Sequence, residues 1–520
     1  MLPTSVVDDP ADAVADAAYI HVSLGGPEPR VSGQLTFSTG VRIFRGSDLP
    51  DDGAYAAWTW HDGELLIDHD PFALLPLYEW RTPDSIALST SPLKLLALGA
   101  PASLDHGALA VFLRMGFMLA SDTPFESVRA VAPGRQRWSG NLAPQPTGYD
   151  HPRAQALTRA QALDGFIELF REAVRRRLPL DPEFVVPLSG GRDSRHILYE
   201  LLRQGARPRY CVTIPRCPPT PAEDERVAAT IAQATGVPHV LLSRAESRFE
   251  AEHRKNWATG LCSDEHAWFV EMIDQLEVRG TTTVYDGLGG SLSVASRFIS
   301  PDNLRMLRQG RTDEVADRLL TLSACYTEDV LAGIQKRSSL QLSRDRAVAR
   351  LSAELTLHAS AADPFRSFHL WTRMRRELAL VPCGLMQRIP VVHTPLMDYE
   401  LVRLLSSVPA EVITPELSPA DKSFHSDALR LAYPEWASLP FEDKTAPRQN
   451  AASNRIQFAR ETGRYILPRF RRAGAAAAAR YLAPRLLCAL GSERFAATRP
   501  WLPALALYLF QLDVAARLRD

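Results

Sequence analysis

Residues 184 to 196 constrain the fold of this chain more than any other stretch, and they read Phe-Val-Val-Pro-Leu-Ser-Gly-Gly-Arg-Asp-Ser-Arg-His. The apolar run at 184–188 is typical of a buried strand, the glycine pair of a turn, and the apolar spacing that follows of a helix. A strand, a glycine turn and a helix in this order aim backbone N–H groups and the positive end of the helix dipole at one point. The stretch therefore predicts a phosphate-binding loop in an α/β fold.

The side chains of this turn suit pyrophosphate. Two glycines, Gly190 and Gly191, let the main chain approach an anion without Cβ atoms in the way. The hydroxyls of Ser189 and Ser194 add donors, and the carboxylate of Asp193 suits Mg²⁺ held among phosphates. The loop is not of the Walker type, because no Gly-Lys-Ser or Gly-Lys-Thr occurs in it. A plain tight turn with an Asp helix cap is the alternative.

Composition indicates a large enzyme with two cores. The chain has 520 residues, of which 46% are hydrophobic, and its formal net charge of −1 creates no field that would attract nucleic acid or anionic lipid. We found neither an apolar run of the ~18 residues that a membrane span needs nor a signal-peptide pattern. Six cysteines lie scattered without metal-ligand spacing. We therefore expect a cytoplasmic protein with reduced thiols and with neither a nucleic acid nor a membrane as partner.

Residues 1–150 are predicted to form a separate domain. Short alternating or apolar segments, divided by Gly, Pro and Asp turns, predict an antiparallel strand-rich layer, and they lie at 18–24, 34–37, 54–60, 64–67 and 86–89. A helix is predicted at 107–115 after Asp105 as its cap, and a last strand after Pro133-Gly134. The Pro-rich and polar stretch at 144–153 is typical of a linker.

Strand and helix patterns alternate from about 155 to 300, which predicts a doubly wound parallel sheet. Ligands of such sheets sit at the carboxyl ends of the strands, so we expect Thr213 and Ile214, which end the next strand, to lie beside the adenine. Asp224 and Glu225 open the following helix, where a functional role and complementation of the helix dipole are both open.

A second strand-to-glycine turn occurs at 281–291. It contains Asp286, which we predict to reach the magnesium, and Gly287 and Gly289, which we predict to contribute to nucleotide binding. A simple turn with Asp286 as its cap is the alternative. Residues 300–470 have helical spacing, with helices predicted at 306–324, 347–358 and 366–380, and a closing helix is predicted at 505–518.

The Ser-Gly-Gly-x-Asp-Ser loop resembles the pyrophosphate loop of the ATP-pyrophosphatases, which split ATP into AMP and pyrophosphate while adenylating a substrate. Its surroundings resemble the asparagine synthetase family, including the β-lactam synthetases and lasso-peptide cyclases. Short N-terminal motifs come in the order of that family's glutaminase domain: Asp70-Pro71-Phe72, Pro76-Leu77-Tyr78, Ala87 to Ser91, Leu104-Asp105, Pro124 to Val128 and Ala132-Pro133-Gly134.

This resemblance implies an α/β/β/α sandwich of the N-terminal-nucleophile-hydrolase kind for residues 1–150. For residues 155–520 it implies an ATP-pyrophosphatase domain, a doubly wound parallel sheet with a helical C-terminal part. The family's glutaminase needs a cysteine directly after the initiator methionine, where this chain has Leu2, so we expect no glutamine hydrolysis. In the second turn, Leu288, Ser291 and Leu292 stand where the family has Glu, a metal-binding Asp and Glu, which predicts altered or lost catalysis.

Two C-terminal segments extend the resemblance. The stretch 389–402 resembles the family's Val-Pro-Phe-x-Asp element, in which Asp398 is most simply a helix N-cap. The stretch 441–445 is similar to the one that ends in the family's active-site lysine, which assigns Lys444 a catalytic role, with Lys422 as the fallback. An ammonium at Lys444 would stabilise the charge that develops as pyrophosphate leaves.

The function that the resemblance implies is an ATP- and Mg²⁺-dependent synthetase with Lys444 and Asp286 as catalytic residues. A small-molecule or peptide carboxylate attacks the α-phosphorus of ATP, and an amine or ammonia then converts the acyl-adenylate into an amide. One alternative is an intramolecular amide former of the β-lactam synthetase or lasso-cyclase type, the latter with a precursor peptide and a leader protease as partners. Another is a non-catalytic scaffold. The oligomeric state, including a homodimer, stays open.

Overall fold

The computed structural model describes residues 14–46, 49–140, 148–215, 223–294, 298–323, 325–336, 338–413, 423–442, 464 and 503–517. Over these residues the fold is mixed α/β. Two antiparallel sheets form the N-terminal part, a parallel sheet follows, and the C-terminal region is helical.

Nine strands build the two antiparallel sheets of the described N-terminal part. The first sheet has the order β2-β1-β7-β6-β8 and the second the order β3-β4-β5-β9. Their bounds are β1 (Tyr19–Ser23), β2 (Arg30–Gly33), β3 (Thr36–Ile43), β4 (Asp52–His61), β5 (Glu64–His69), β6 (Tyr78–Thr82), β7 (Ser85–Ser89), β8 (Val128–Ala130) and β9 (Gly134–Trp138). The predicted strands are present. We did not predict β2, β6 or β8. In β2, Val31 is the single apolar residue and gives no alternation to detect.

The parallel sheet has five strands in the order β12-β11-β10-β13-β14, and each neighbouring pair is parallel. Their bounds are β10 (Phe184–Pro187), β11 (Tyr210–Thr213), β12 (His239–Leu241), β13 (Thr283–Tyr285) and β14 (Val391–His393). The chain runs outward from β10 to β12 and then crosses back to β13 on the other side. The strand order therefore reverses between β10 and β13.

Sixteen described helices complete the fold: α1 (Pro92–Ala97), α2 (His106–Met115), α3 (Arg159–Arg175), α4 (Asp193–Arg203), α5 (Glu223–Thr235), α6 (Arg248–Ala258), α7 (Trp268–Val278), α8 (Pro301–Arg308), α9 (Thr312–Ser323), α10 (Glu328–Gln335), α11 (Arg344–His358), α12 (Pro364–His369), α13 (Tyr399–Ser407), α14 (Ala410–Ile413), α15 (Phe424–Ala432) and α16 (Pro503–Ala515). Helix α2 begins after Asp105, as predicted, and the Asp105 carboxylate accepts from the Ala108 N–H at 2.9 Å. None of the described helices combines the length and apolarity that crossing a membrane requires.

Two of the predicted helices are interrupted in the structure. The pattern at 306–324 is divided between α8 and α9, because Gly310 has φ +76° and ends the first helix. The pattern at 366–380 begins as α12, widens into a π-helical turn at Leu370–Met374 and ends in a 3₁₀ turn at Leu378–Leu380. Apolar spacing persists through such changes of helix type, so periodicity alone does not reveal them.

The segment predicted as a linker, 144–153, is packed in its described half. The Tyr149 ring stacks on those of His358 and Trp371, with ring centroids 4.7 and 4.8 Å away. The Tyr149 hydroxyl donates to Glu354 Oε1 at 2.7 Å. Residues 148–151 are therefore part of the interface between the N-terminal sheets and the helical region, and residues 141–147 lie outside the described part. The cysteines at 211, 262, 325 and 383 are buried free thiols.

A buried ion cluster joins the N-terminal part to the rest. Arg177, just after α3, donates from Nη2 to Asp52 at the start of β4 and from Nη1 to Asp398 at 3.1 Å. Burial would raise the pKa of Asp398, but the hydrogen bond from Asp52 and the charges of Arg177 and Arg176 hold it well below its usual range. Burial raises the pKa of Asp52 to about 6 despite the charge of Arg177. The guanidinium thus satisfies two carboxylates from distant parts of the chain.

Replacing Arg177 tests whether this cluster holds the parts together. We expect Arg177→Met to lower the free energy of unfolding by about 3–5 kcal/mol, since it leaves the buried carboxylate of Asp52 without its partner and leaves Asp398 with Arg176 as its arginine. The measurement is urea unfolding followed by circular dichroism.

The matched control is Arg175→Met. Arg175 has a side chain that is 64% exposed and pairs with Glu172 on the same helix, so its loss should leave the unfolding midpoint unchanged. Equal losses in the two variants would contradict a special role for Arg177.

Candidate active site

The phosphate loop predicted at 189–194 lies at the point where the strand order of the parallel sheet reverses. It joins β10 to α4, and the second glycine turn follows β13, the neighbour of β10 on the other side. Ligands of open α/β sheets bind in the crevice outside the carboxyl ends of the strands at such a reversal. The two turns singled out in the sequence therefore face the same crevice.

Hydrogen bonds within the loop hold it in one conformation. The Ser189 N–H donates to Ser194 Oγ at 3.0 Å, and the Gly191 N–H donates to Ser189 Oγ at 3.2 Å. The Gly190 N–H donates to Asp224 Oδ1 at 2.6 Å. Asp224 thus supports the loop in addition to lying in the first turn of α5. Of the roles left open in the sequence, it positions the phosphate loop as well as complementing the helix dipole. Glu225 pairs with Arg244 at 3.6 Å.

Helix α4 begins at Asp193 without a side-chain cap. Its N-cap position is Arg192, which makes no capping hydrogen bond, so the alternative in which Asp193 caps the helix is wrong. An uncapped helix start leaves backbone donors that an anion can satisfy. The Asp193 side chain is 42% exposed, and its carboxylate is accessible beside these donors.

Arg195 fastens the C-terminal region to the loop. Its side chain is buried and donates from Nε to the Gly191 carbonyl at 2.7 Å and from Nη2 to the Pro440 carbonyl at 2.7 Å. The guanidinium lies 4.2 Å from the centroid of the Phe441 ring, and the Glu442 N–H donates to the Gly190 carbonyl at 3.0 Å. The chain thus contacts the loop two residues before Lys444. Lys444 and Lys422 themselves lie outside the described residues.

The second glycine turn packs directly against Asp193. A Cβ atom on Gly290 would lie 2.1 Å from Asp193 Cγ, and one on Gly287 would lie 2.8 Å from Asp193 Cβ. Gly289 has φ +105°, and a Cβ there would meet the Leu396 carbonyl at 2.5 Å. Side chains at Gly287 and Gly290 would collide with Asp193, so these two glycines are needed for the close approach of the turn to the loop. Gly289 is needed for its positive φ and for its contact with Leu396.

Asp286 supplies a second carboxylate to this crevice. Its Oδ1 accepts from the Leu288 N–H at 2.8 Å. Burial and, to a smaller extent, the charge of Asp193 raise the pKa of Asp286 to about 6. The next residue, Gly287, is in contact with Asp193. The described residues contain no group of three or more His, Cys, Asp or Glu side chains that could hold a metal alone. Two carboxylates fit magnesium that arrives with a nucleotide, since Mg²⁺ is commonly held by one or two carboxylates and the substrate phosphates.

The positions that depart from the family's second motif have other contacts. Leu288 and Leu292 are buried in the apolar core, and the Ser291 hydroxyl pairs with His369 Nε2 at 2.8 Å. Of these three side chains, only that of Ser291 contains an oxygen that could bind a metal. The side chains of Thr213 and Ile214 belong to the sheet, where Thr213 Oγ1 donates to the Leu188 carbonyl at 2.7 Å.

Sequence reasoning missed a pair of buried histidines below the loop. His425 on α15 has its Nδ1 atom 3.4 Å from Asp193 Oδ1, and its Nε2 atom is 2.9 Å from Nδ1 of His196 on α4. Burial, together with the charges of Arg192 and Arg195, lowers the pKa of His425 to about 3. No sequence signal connects positions 196 and 425. Asp398, by contrast, is the predicted N-cap and accepts from the Glu400 and Leu401 N–H groups.

Comparison with known proteins does not identify the chain. The sequence matches no family model and no curated protein.

Filling the contact between the two turns should disable the site. We expect Gly290→Ala to displace the Asp193 carboxylate, because the new Cβ would lie 2.1 Å from Cγ, and to weaken the binding of magnesium ATP by at least ~10-fold. Isothermal titration calorimetry measures this.

The control is Gly333→Ala. A Cβ there would meet nothing within 4 Å, and alanine favours the helix that contains it. Binding that is equally strong in Gly290→Ala and in the wild type would show that Asp193 does not need its present position.

Proposed function

We propose that this protein is an ATP-dependent amide-bond-forming synthetase of the asparagine synthetase type that releases AMP and pyrophosphate. The observation that carries the proposal is the meeting of two glycine turns, each after a strand, where the order of the parallel sheet reverses. A carboxylate from each turn, Asp193 and Asp286, borders the same crevice. The family's synthetase fold and its sandwich-type glutaminase fold are part of the proposal.

The first step is activation of a substrate carboxylate. A carboxylate oxygen attacks the α-phosphorus of ATP, the bond to the bridging oxygen breaks, and pyrophosphate leaves with the electron pair. The start of α4 and the hydroxyls of Ser189 and Ser194 would bind the leaving pyrophosphate. Asp193 and Asp286 would hold the accompanying magnesium, whose charge offsets that of the phosphates.

The second step is amide formation. An amine attacks the acyl carbon, AMP leaves, and one proton of the amine passes to a base. Lys444 is proposed to stabilise the charge of both steps. Support for its location comes from the anchoring of Glu442 on Gly190, two residues before it.

The nitrogen is proposed to come from ammonia or from an amine of the substrate. Leu2 replaces the cysteine that glutamine hydrolysis needs in this family. We therefore expect glutamine not to support amide formation under conditions in which ammonium or a substrate amine does.

A peptide substrate is the second candidate, favoured by a cavity between the N-terminal sheets and the helical region. Its volume is about 1470 Å³, and Tyr55, Phe72, Tyr149, Trp371, Arg375 and Tyr399 are among its lining residues. Small-molecule pockets commonly measure ~300–1,000 Å³, so this cavity has room for a peptide segment. None of its lining residues belongs to the loop 189–194 or to the turn 286–291, so the cavity would hold a part of the peptide away from the reacting carboxylate. It would serve an intramolecular amide former of the lasso-cyclase type, with a precursor peptide and a leader protease as partners.

The deciding experiment is exchange of labelled pyrophosphate into ATP, with small amino acids, β-amino acids and peptides as carboxylates. Exchange that depends on one of these acids supports the synthetase. Absence of exchange together with absence of ATP binding by calorimetry would refute it and favour a scaffold. That outcome would agree with the burial of Leu288 and Leu292 at positions where the family has carboxylates.

Lys444→Ala tests the assignment of the catalytic lysine. We expect amide formation to fall by at least ~10³-fold, because charge stabilisation of this kind typically contributes ~10²–10³-fold per donor and a cation contributes more. Affinity for ATP should change little. Lys422→Ala is the control and should retain activity, and a Lys444→Ala variant that turns over at the wild-type rate would refute the role.

A further inference from the structure

Asp193 is contacted on one side by a glycine turn and on another by a buried imidazole. We propose that His425 is a positioning residue that orients the Asp193 carboxylate through Nδ1, and that His196 selects the tautomer of His425 in which Nδ1 carries the proton. This inference rests on the proposed function, because it assigns a purpose to the Asp193 carboxylate at the pyrophosphate loop.

The geometry forms a chain of three side chains. His196 Nδ1 lies 2.9 Å from His425 Nε2, and His425 Nδ1 lies 3.4 Å from Asp193 Oδ1. Both imidazoles are fully buried. The second contact is not a hydrogen bond in this structure, because His425 Nδ1 is buried without a hydrogen-bond partner. Asp193 Oδ1, at 3.4 Å, is the acceptor that this nitrogen would reach if the contact shortened when the ligand binds, as is common in unliganded sites.

Hydrogen-bond chemistry gives the chain a direction. A carboxylate only accepts, so the nitrogen that faces Asp193 must be the protonated one. With the proton on Nδ1, the Nε2 atom of neutral His425 becomes an acceptor. It then accepts a hydrogen bond from the protonated Nδ1 of His196. The reverse arrangement would place the lone pair of His425 Nδ1 against a carboxylate oxygen.

Packing alone does not account for two histidines here. The His196 ring lies 3.9 Å from the Phe170 ring by centroid distance, and the His425 ring lies edge-on to Phe166 at 5.7 Å. His196 Nε2 is buried without a hydrogen-bond partner. Such an unsatisfied nitrogen costs about 1–3 kcal/mol, a cost that an apolar side chain at this position would avoid.

The glycine turn completes the restraint on Asp193. Gly290 and Gly287 approach it so closely that a methyl group fits on neither. The carboxylate therefore has backbone on one side, the His425 ring on another and the open crevice on the exposed side. These contacts restrict the carboxylate on two sides and leave 42% of the Asp193 side chain exposed.

The experiment compares ATP binding with and without magnesium in variants of His425. We expect His425→Leu to weaken binding of magnesium ATP by about 10–100-fold, as removal of the partner of a metal ligand usually does, and to leave binding of ATP in EDTA nearly unchanged. His425→Asn, whose amide N–H can replace Nδ1–H, should recover most of the affinity. Thermal unfolding of each variant verifies that it is folded.

The control is His358→Leu. His358 is equally buried but bonds to Ser367 and Glu354 in the helical region, so its loss should affect the affinity for magnesium ATP no more than that for free ATP. An unchanged ratio of the two affinities in His425→Leu would overturn the positioning role.

The tautomer is measured independently by long-range ¹H–¹⁵N correlation on protein labelled at histidine. We expect His425 and His196 both to carry their proton on Nδ1, and a proton on Nε2 of His425 would overturn the inference even in a protein that binds ATP. If the wild type binds no nucleotide, the proposed function is refuted and the positioning role with it. If the wild type binds magnesium ATP but the His425 variants keep the wild-type ratio of affinities with and without magnesium, the inference alone is refuted.

Discussion

Parallel pairing of β10 with β11 on one side and with β13 on the other is the constraint on which the rest of the site depends. Because β10 is central, the turn that leaves it must cross the sheet edge next to the turn that leaves β13. The two turns lie so close together that a Cβ atom at Gly287 or Gly290 would overlap Asp193. The crevice, the pair of carboxylates and the buried histidines are all consequences of this strand order.

Buried arginines connect the distant segments to that sheet. Arg177 bonds to β4 and to the start of α13, and Arg195 bonds to the carbonyls of the phosphate loop and of Pro440. Arg366 donates to the carbonyls of Leu292, Leu405 and Val408. Guanidinium groups suit this task, since their several donors in a fixed plane can satisfy loop carbonyls that no regular secondary structure pairs. The site is thus assembled from segments between residues 52 and 442.

Local patterns predicted most of the strands and helices near the site. The prediction that 300–470 is helical was wrong at β14, because three residues are too short a strand to show a period of their own. The strand at 184–187, the helix that follows the loop and the cap at Asp105 all depend on neighbours a few residues away, and such neighbours are visible in the sequence. The breaks at Gly310 and at 370–374 were not predicted, because apolar spacing continues across them. The linker prediction missed the packing of Tyr149, since a Pro-rich composition does not show which aromatic rings it will meet.

The sequence by itself determined the presence of a glycine turn between a strand and a helix, its serines and its aspartate, because these features are set by local backbone preferences and by residue chemistry. Only the tertiary structure decided that the second glycine turn packs against Asp193, that Asp224 supports the loop and that His425 lies next to Asp193. These contacts join residues from 34 to 232 positions apart. Contacts between such distant residues depend on how the whole sheet is ordered, and no local pattern encodes that order.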